Sequence, residues 1–77
     1  MYYIGLYEEG RFCTQVGGEI PTLPQAIDQM RRIASTVKAE EVEGCFGYKF
    51  DRAGTICALA VLDRWGFPIP DDKEEEL

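Results

Sequence analysis

The chain has no histidine, and basic residues are scarce: eight lysines and arginines stand against fourteen acids in 77 residues. Without an imidazole, most general acid–base catalysis, most nucleophile–base pairs and most zinc sites lose their usual group. No run approaches the roughly 18 apolar residues of a membrane-spanning helix, so no membrane association is expected. The N-terminus lacks a basic stretch followed by an apolar one, and no secretory leader is expected. Three cysteines, Cys13, Cys45 and Cys57, cannot all pair within one chain, and none lies in a C-x-x-C pair. Reduced thiols and a cytoplasmic location are expected.

What remains is an ordinary globular mixture, 45% hydrophobic and 29% charged, with a formal net charge of −6. The length allows one small domain, placed at residues 1–70. The acidity is concentrated at the end: residues 71–77 hold five acids and one base. This tail is expected to be a solubilising, disordered C-terminus. A nucleic-acid mimic would spread acids over its folded surface, and direct nucleic-acid binding would need clustered Lys and Arg; neither pattern is present.

The clearest element is a helix at about 23–38. Thr22 is a good N-cap, Gln25 stands three residues on as in a capping box, and Pro24 falls in the first turn. Leu23, Ala26, Ile27, Met30, Ile33, Ala34 and Val37 follow helical spacing on one stripe. Before it, Tyr2–Tyr7 and Arg11–Val16 predict a hairpin across Glu8-Glu9-Gly10. After it, Cys45–Phe50 and Thr55–Leu62 predict a second hairpin across a turn that ends at Gly54. Three-residue loops give each hairpin one nearly continuous apolar face: Tyr2, Ile4, Leu6, Phe12 and Val16 in the first, Phe46, Tyr48, Phe50, Ile56, Ala58, Ala60 and Leu62 in the second. The expected fold is α+β, in the order β-β-α-β-β: a four-stranded antiparallel sheet with the helix on one face.

These registers place Tyr3, Gly5, Tyr7, Arg11, Cys13 and Gln15 on the opposite face, with Cys45, Gly47, Lys49, Cys57, Leu59 and Val61. That set is too apolar for a freely solvated surface. Trp65-Gly66-Phe67-Pro68-Ile69-Pro70 is expected to fold back over it, and a twin subunit or a different protein could cover the rest.

Candidate chemistry is sparse. The three cysteines have no spacing suited to zinc, and no metal or cofactor is expected. Lys49, cross-strand from Cys57, could lower a thiol pKa and is the one cue for a thiol-dependent enzyme. Glu8-Glu9 and Glu40-Glu41-Glu43 are expected to be solvated turns. Gly17-Gly18 precedes the helix but lacks the Lys-Ser/Thr of a phosphate-binding loop, and Glu19 would repel an anion. Aromatic residues on a sheet suggest a base-stacking platform, but only Arg11 and Lys49 would frame it.

The sequence therefore points to a non-enzymatic protein-binding module, expected to be a homodimer. Tyr3, Tyr7, Arg11, Lys49, Leu59, Trp65 and Phe67 form its partner-binding surface, since aromatic anchors are what protein interfaces favour. By analogy with small inhibitors encoded by phages or mobile elements, including anti-defence proteins, an inhibitor or regulator of another protein is the expected class. A structural homo-oligomer subunit and a thiol-dependent enzyme are the alternatives.

Overall fold

A computed structural model describes residues 1–71. The proposed disordered tail therefore lies, beyond Asp71, outside the described residues. The α+β class is as the sequence predicts, with one helix and an antiparallel sheet, but the sheet has five strands rather than four. They are β1 (Tyr3–Glu8), β2 (Arg11–Gln15), β3 (Glu40–Glu41), β4 (Gly47–Arg52) and β5 (Thr55–Leu62), with α1 (Leu23–Ala34) between β2 and β3. The spatial order is β2-β1-β5-β4-β3, so the two hairpins join through β1 and β5. The extra strand is the Glu40–Glu41 pair, expected to be a solvated turn; Glu40 stands opposite Lys49 and Glu41 opposite Tyr48.

α1 begins as the sequence dictates. The Thr22 hydroxyl accepts the Gln25 N–H at 3.3 Å and donates to the Gln25 side chain at 3.1 Å. The helix ends at Ala34, four residues short of the expected 38. There the Ser35 and Thr36 hydroxyls donate to the Arg32 and Ile33 carbonyls, and the Thr36 N–H bonds Ile33, a tighter turn than the α-helical one. Val37, expected on the buried stripe, is exposed. Ala26, Met30 and Ala34 pack against Ile4, Ile20, Leu59 and Val61 to form the core.

Both hairpins turn through two residues, not three. Glu9 and Gly10 sit at φ 52° and 81°, Ala53 and Gly54 at 54° and 89°. Positive φ at both loop positions is what a type I′ turn requires, and its twist matches that of the strands. In the second hairpin the shorter loop moves the register by one. Phe50 stands opposite Cys57, Tyr48 opposite Leu59 and Gly47 opposite Ala60. Cys57, Leu59 and Val61 therefore face the helix, whereas Ile56, Ala58, Ala60 and Leu62, expected beneath it, face away, Ala60 and Leu62 nonetheless buried. In the first hairpin a bulge between Leu6 and Tyr7 compensates. Tyr7 pairs with Phe12, but Leu6 pairs with Thr14, so β2 carries one extra residue, Cys13. Beyond the bulge Val16 returns to the expected face, while Phe12 is turned to the other one.

The segment after β5 does not fold over the sheet. It enters the sheet plane beside the end of β5, ahead of the start of β4 at Gly47. The Ile69 N–H donates to the Val61 carbonyl at 3.0 Å, and the Phe46 N–H donates to the Ile69 carbonyl at 3.2 Å. Bridges pair Leu62 with Pro68 and Cys45 with Pro70. Ile69 packs against the core, while Trp65 and Phe67 remain in solvent.

Candidate functional site

With the helix on one side, the other face of the sheet is lined by Tyr3, Gly5 and Tyr7 of β1, registered with Leu62, Ala60 and Ala58 of β5. Small residues leave space above the strands, and larger neighbours fill part of it. A Cβ on Gly5 would lie 2.8 Å from Leu62 Cδ1 and 3.2 Å from Phe12 Cε1. Phe12 meets Tyr7 edge-on, with ring centroids 5.7 Å apart and an interplanar angle of 82°. The bulge that turns Phe12 thus supplies a partial cover for this face, yet Phe12 itself stays 56% exposed.

At one end of the face lies an open groove of about 610 Å³, lined by Tyr3, Phe12, Gln15, Glu19, Leu62, Arg64, Trp65 and Gly66. The Tyr3 hydroxyl donates to Glu19 Oε2 at 3.0 Å. That bond, to a carboxylate, holds the Tyr3 phenol above its ordinary pKa. In the same groove the Arg64 guanidinium lies 5.0 Å from the centre of the Trp65 ring.

The loop that carries Trp65 is ordered by its own hydrogen bonds. Asp63 Oδ1 accepts the N–H groups of Trp65 at 2.9 Å and Phe67 at 3.0 Å. The Asp63 N–H donates to the Phe67 carbonyl, and the Gly66 N–H to the Asp63 carbonyl. A charged side chain and four hydrogen bonds therefore fix a loop whose two aromatic rings are 71% and 66% exposed.

The residues expected to form a binding surface separate into three groups. Tyr3 and Trp65 come together in the groove, and Phe67 stands on the same loop as Trp65. Tyr7 and Lys49 share the helix-free face, both registered with Ala58. Leu59 and Arg11 are displaced. Leu59 is 3% exposed in the helix-side core, a consequence of the one-residue slip. Arg11 stands opposite Glu8, in the helix-side row, because the two-residue turn replaces the longer one. Glu8 is a strand residue bonded by Arg52 at 2.8 Å rather than part of a solvated turn.

Phe12, Leu62, Glu19 and Arg64 are the residues that sequence reasoning left out of the surface. One signal was available for Phe12: a glycine inside a strand marks a place where another group approaches closely, and Gly5 is that glycine.

The thiol chemistry loses its geometry. Lys49 lies on the face opposite Cys57, which is fully buried, so the expected Lys–Cys pair does not form. Burial raises the pKa of Cys45, and the charge of Asp71 raises it further, which opposes thiolate formation. Cys13 is exposed on β2. Among the described residues no three His, Cys, Asp or Glu side chains come together as a metal site. No helix among them is long and apolar enough to cross a membrane. Comparison with protein-family models, with curated proteins and with solved structures finds no match to this chain.

Proposed function

We propose that the chain is a small, non-enzymatic protein-binding module that acts by occupying the surface of another protein, as an inhibitor or regulator does. The observation that carries this reading is the loop at Asp63–Phe67. Its hydrogen bonds hold Trp65 and Phe67 in solvent, and Trp65 lines the same groove as Phe12. Exposed aromatic residues on a rigid support lose little conformational freedom when they bind, and such residues dominate interface energetics. The separation of Lys49 from Cys57 and the raised pKa of Cys45 support the non-enzymatic part.

The test is capture from a lysate of the source organism with a tag placed after Leu77, compared with a Phe12→Ser, Trp65→Ser variant whose fold is checked by circular dichroism. One specific protein held by the parent chain and lost with the variant is the expected result. Equal capture by both chains would contradict it.

One observation favours a second reading, self-association. Among the described residues the two sheet edges are unlike: β3 is two residues long and acidic, whereas β2 is five residues long, exposed throughout and paired only with β1. Short or charged edges resist strand addition, and β2 has just one charge, Arg11. A homodimer through β2 predicts a concentration-dependent sedimentation coefficient that Cys13→Lys abolishes; a monomer at all concentrations removes this reading.

A further inference from the structure

We propose that the groove between Phe12 and Trp65 seats a basic side chain, arginine or lysine, presented by the partner protein. This rests on the docking face assigned above and narrows the partner to one that carries a positively charged segment there.

The chemistry of the walls argues for a cation with an apolar stem. Tyr3, Phe12 and Trp65 supply three aromatic rings, Leu62 a branched aliphatic wall, and Glu19 a carboxylate at the rim. Aromatic faces attract cations through their quadrupole, and the methylene stem of an arginine or lysine packs on apolar surface while its head stays polar. The Glu19 carboxylate is held in place by the Tyr3 hydroxyl at 3.0 Å, so its acceptor is oriented before any guest arrives. A purely apolar guest would dehydrate that carboxylate and give it no counter-charge, which is costly.

The groove's own cation, Arg64, limits where the guest sits. The Trp65 ring already bears a guanidinium, that of Arg64, at 5.0 Å from its centre. That ring is therefore already engaged, and the guest's cation is met by Glu19 and by the rings of Tyr3 and Phe12. Residues 71–77 hold net −4 of the chain's −6 and the remainder is at −2, so the counter-charge at the groove is Glu19 itself.

Trp65 is the only tryptophan of the chain, so its indole N–H is a single reporter. The probe is a blocked pentapeptide with arginine between two pairs of glycines, titrated into ¹⁵N-labelled protein. The control peptide replaces arginine by citrulline, which has nearly the same shape and no charge. The expected result is a saturable shift of the indole signal, with the arginine peptide binding at least about threefold more tightly than the citrulline peptide. Glu19→Gln, an exposed change that leaves the core untouched, removes that difference. Equal affinity for the two peptides, no shift with either, or an unaltered preference in Glu19→Gln overturns the proposal.

A dimer that Arg64→Gln dissolves also overturns it, because the guest would then be Arg64 of a second copy. The two readings fail separately. A partner captured by the parent chain and by Glu19→Gln alike, but lost with the Phe12→Ser, Trp65→Ser variant, leaves the docking face in place and removes the basic guest. Equal capture by parent and double variant removes the face itself.

Discussion

Asp63 and Phe67 close a loop on each other. The Phe67 N–H donates to Asp63 Oδ1 at 3.0 Å, and the Asp63 N–H donates to the Phe67 carbonyl at 2.9 Å. The same carboxylate oxygen takes the Trp65 N–H. This one side chain joins the end of β5 to the ring that forms a wall of the groove. Asp63→Ala removes two charge-assisted hydrogen bonds and is expected to cost about 1 kcal/mol of stability. Amide exchange at Trp65 and Phe67 should quicken at least about fivefold, since a bond worth about 1 kcal/mol no longer closes the loop. Unchanged exchange at both amides would mean that the carboxylate does not hold the loop.

The slip in the second hairpin sets up a contrast between Leu59 and Trp65. Leu59→Ala empties a position in the core beneath α1 and should cost about 2–5 kcal/mol. Trp65→Ser lies in solvent and should change stability by no more than about 0.5 kcal/mol. In a domain of this size, about 1 kcal/mol moves Tm by roughly 4–8 °C, so thermal melts separate the two cases. Similar melting of the two variants would refute the register in which Leu59 stands opposite Tyr48.

Two strand glycines are expected to differ. A Cβ on Gly47 would lie 2.6 Å from the Leu59 carbonyl oxygen, a backbone atom that cannot turn aside. A Cβ on Gly5 meets the end of the Leu62 side chain, which can rotate. Gly47→Ala should therefore be the more damaging, by about 1–3 kcal/mol from overpacking, and Gly5→Ala the milder. Urea titrations of the two variants check the order; the reverse order would refute the close approach at Gly47.

Alkaline pH should loosen the fold before acid does anything comparable at the same groups. Tyr3 is raised by its bond to Glu19, Tyr7 by burial, and Cys45 by burial and then by Asp71. In each case the folded chain holds its proton more tightly than the unfolded chain. Their contribution is therefore complete below the ordinary values, about 8.5 for Cys and 10 for Tyr, and is lost as pH rises through the higher folded values. Urea midpoints should be level from pH 6 to about 8 and fall above about 9. Alkylation should follow the same logic: exposed Cys13 reacts first, Cys45 only at higher pH, and buried Cys57 only on unfolding. Fast alkylation of Cys45 at neutral pH would instead support thiol chemistry.

Much of the fold was legible because several local signals agreed. Thr22, Gln25 and the apolar stripe from Leu23 to Ala34 specify α1 through capping and period together. The end of α1 was not legible, since Val37 continues the stripe while Ser35 and Thr36 turn the backbone by their own hydroxyl bonds. The register of β5 was hidden for a different reason. Thr55–Leu62 is apolar at nearly every position, so either face can be taken as the buried one and the pattern cannot choose. The choice was made by the turn, where Ala53 adopts a positive φ that its side chain gives no reason to expect.

The proposed docking face was legible in part for the same reason. Tyr3 stands on the helix-free face as expected, whereas Trp65 and Phe67, expected to fold back over the sheet, stand in solvent, and Phe12 depends on a bulge. Leu59 and Arg11 went wrong with the turns. Glu40-Glu41 shows the limit of composition: two acids form a poor strand signal, yet they pair with β4 because an acidic pair suits an edge.

The central claim is that partners meet the helix-free face. Photo-cross-linking tests it most directly, with benzoylphenylalanine placed at Phe12 in one chain and at Val37, exposed beyond α1, in another. Each chain is irradiated in lysate and its adducts are separated by mass. The account predicts one discrete adduct from position 12 and none from position 37. An adduct from position 37 alone, or identical adducts from both positions, would contradict it.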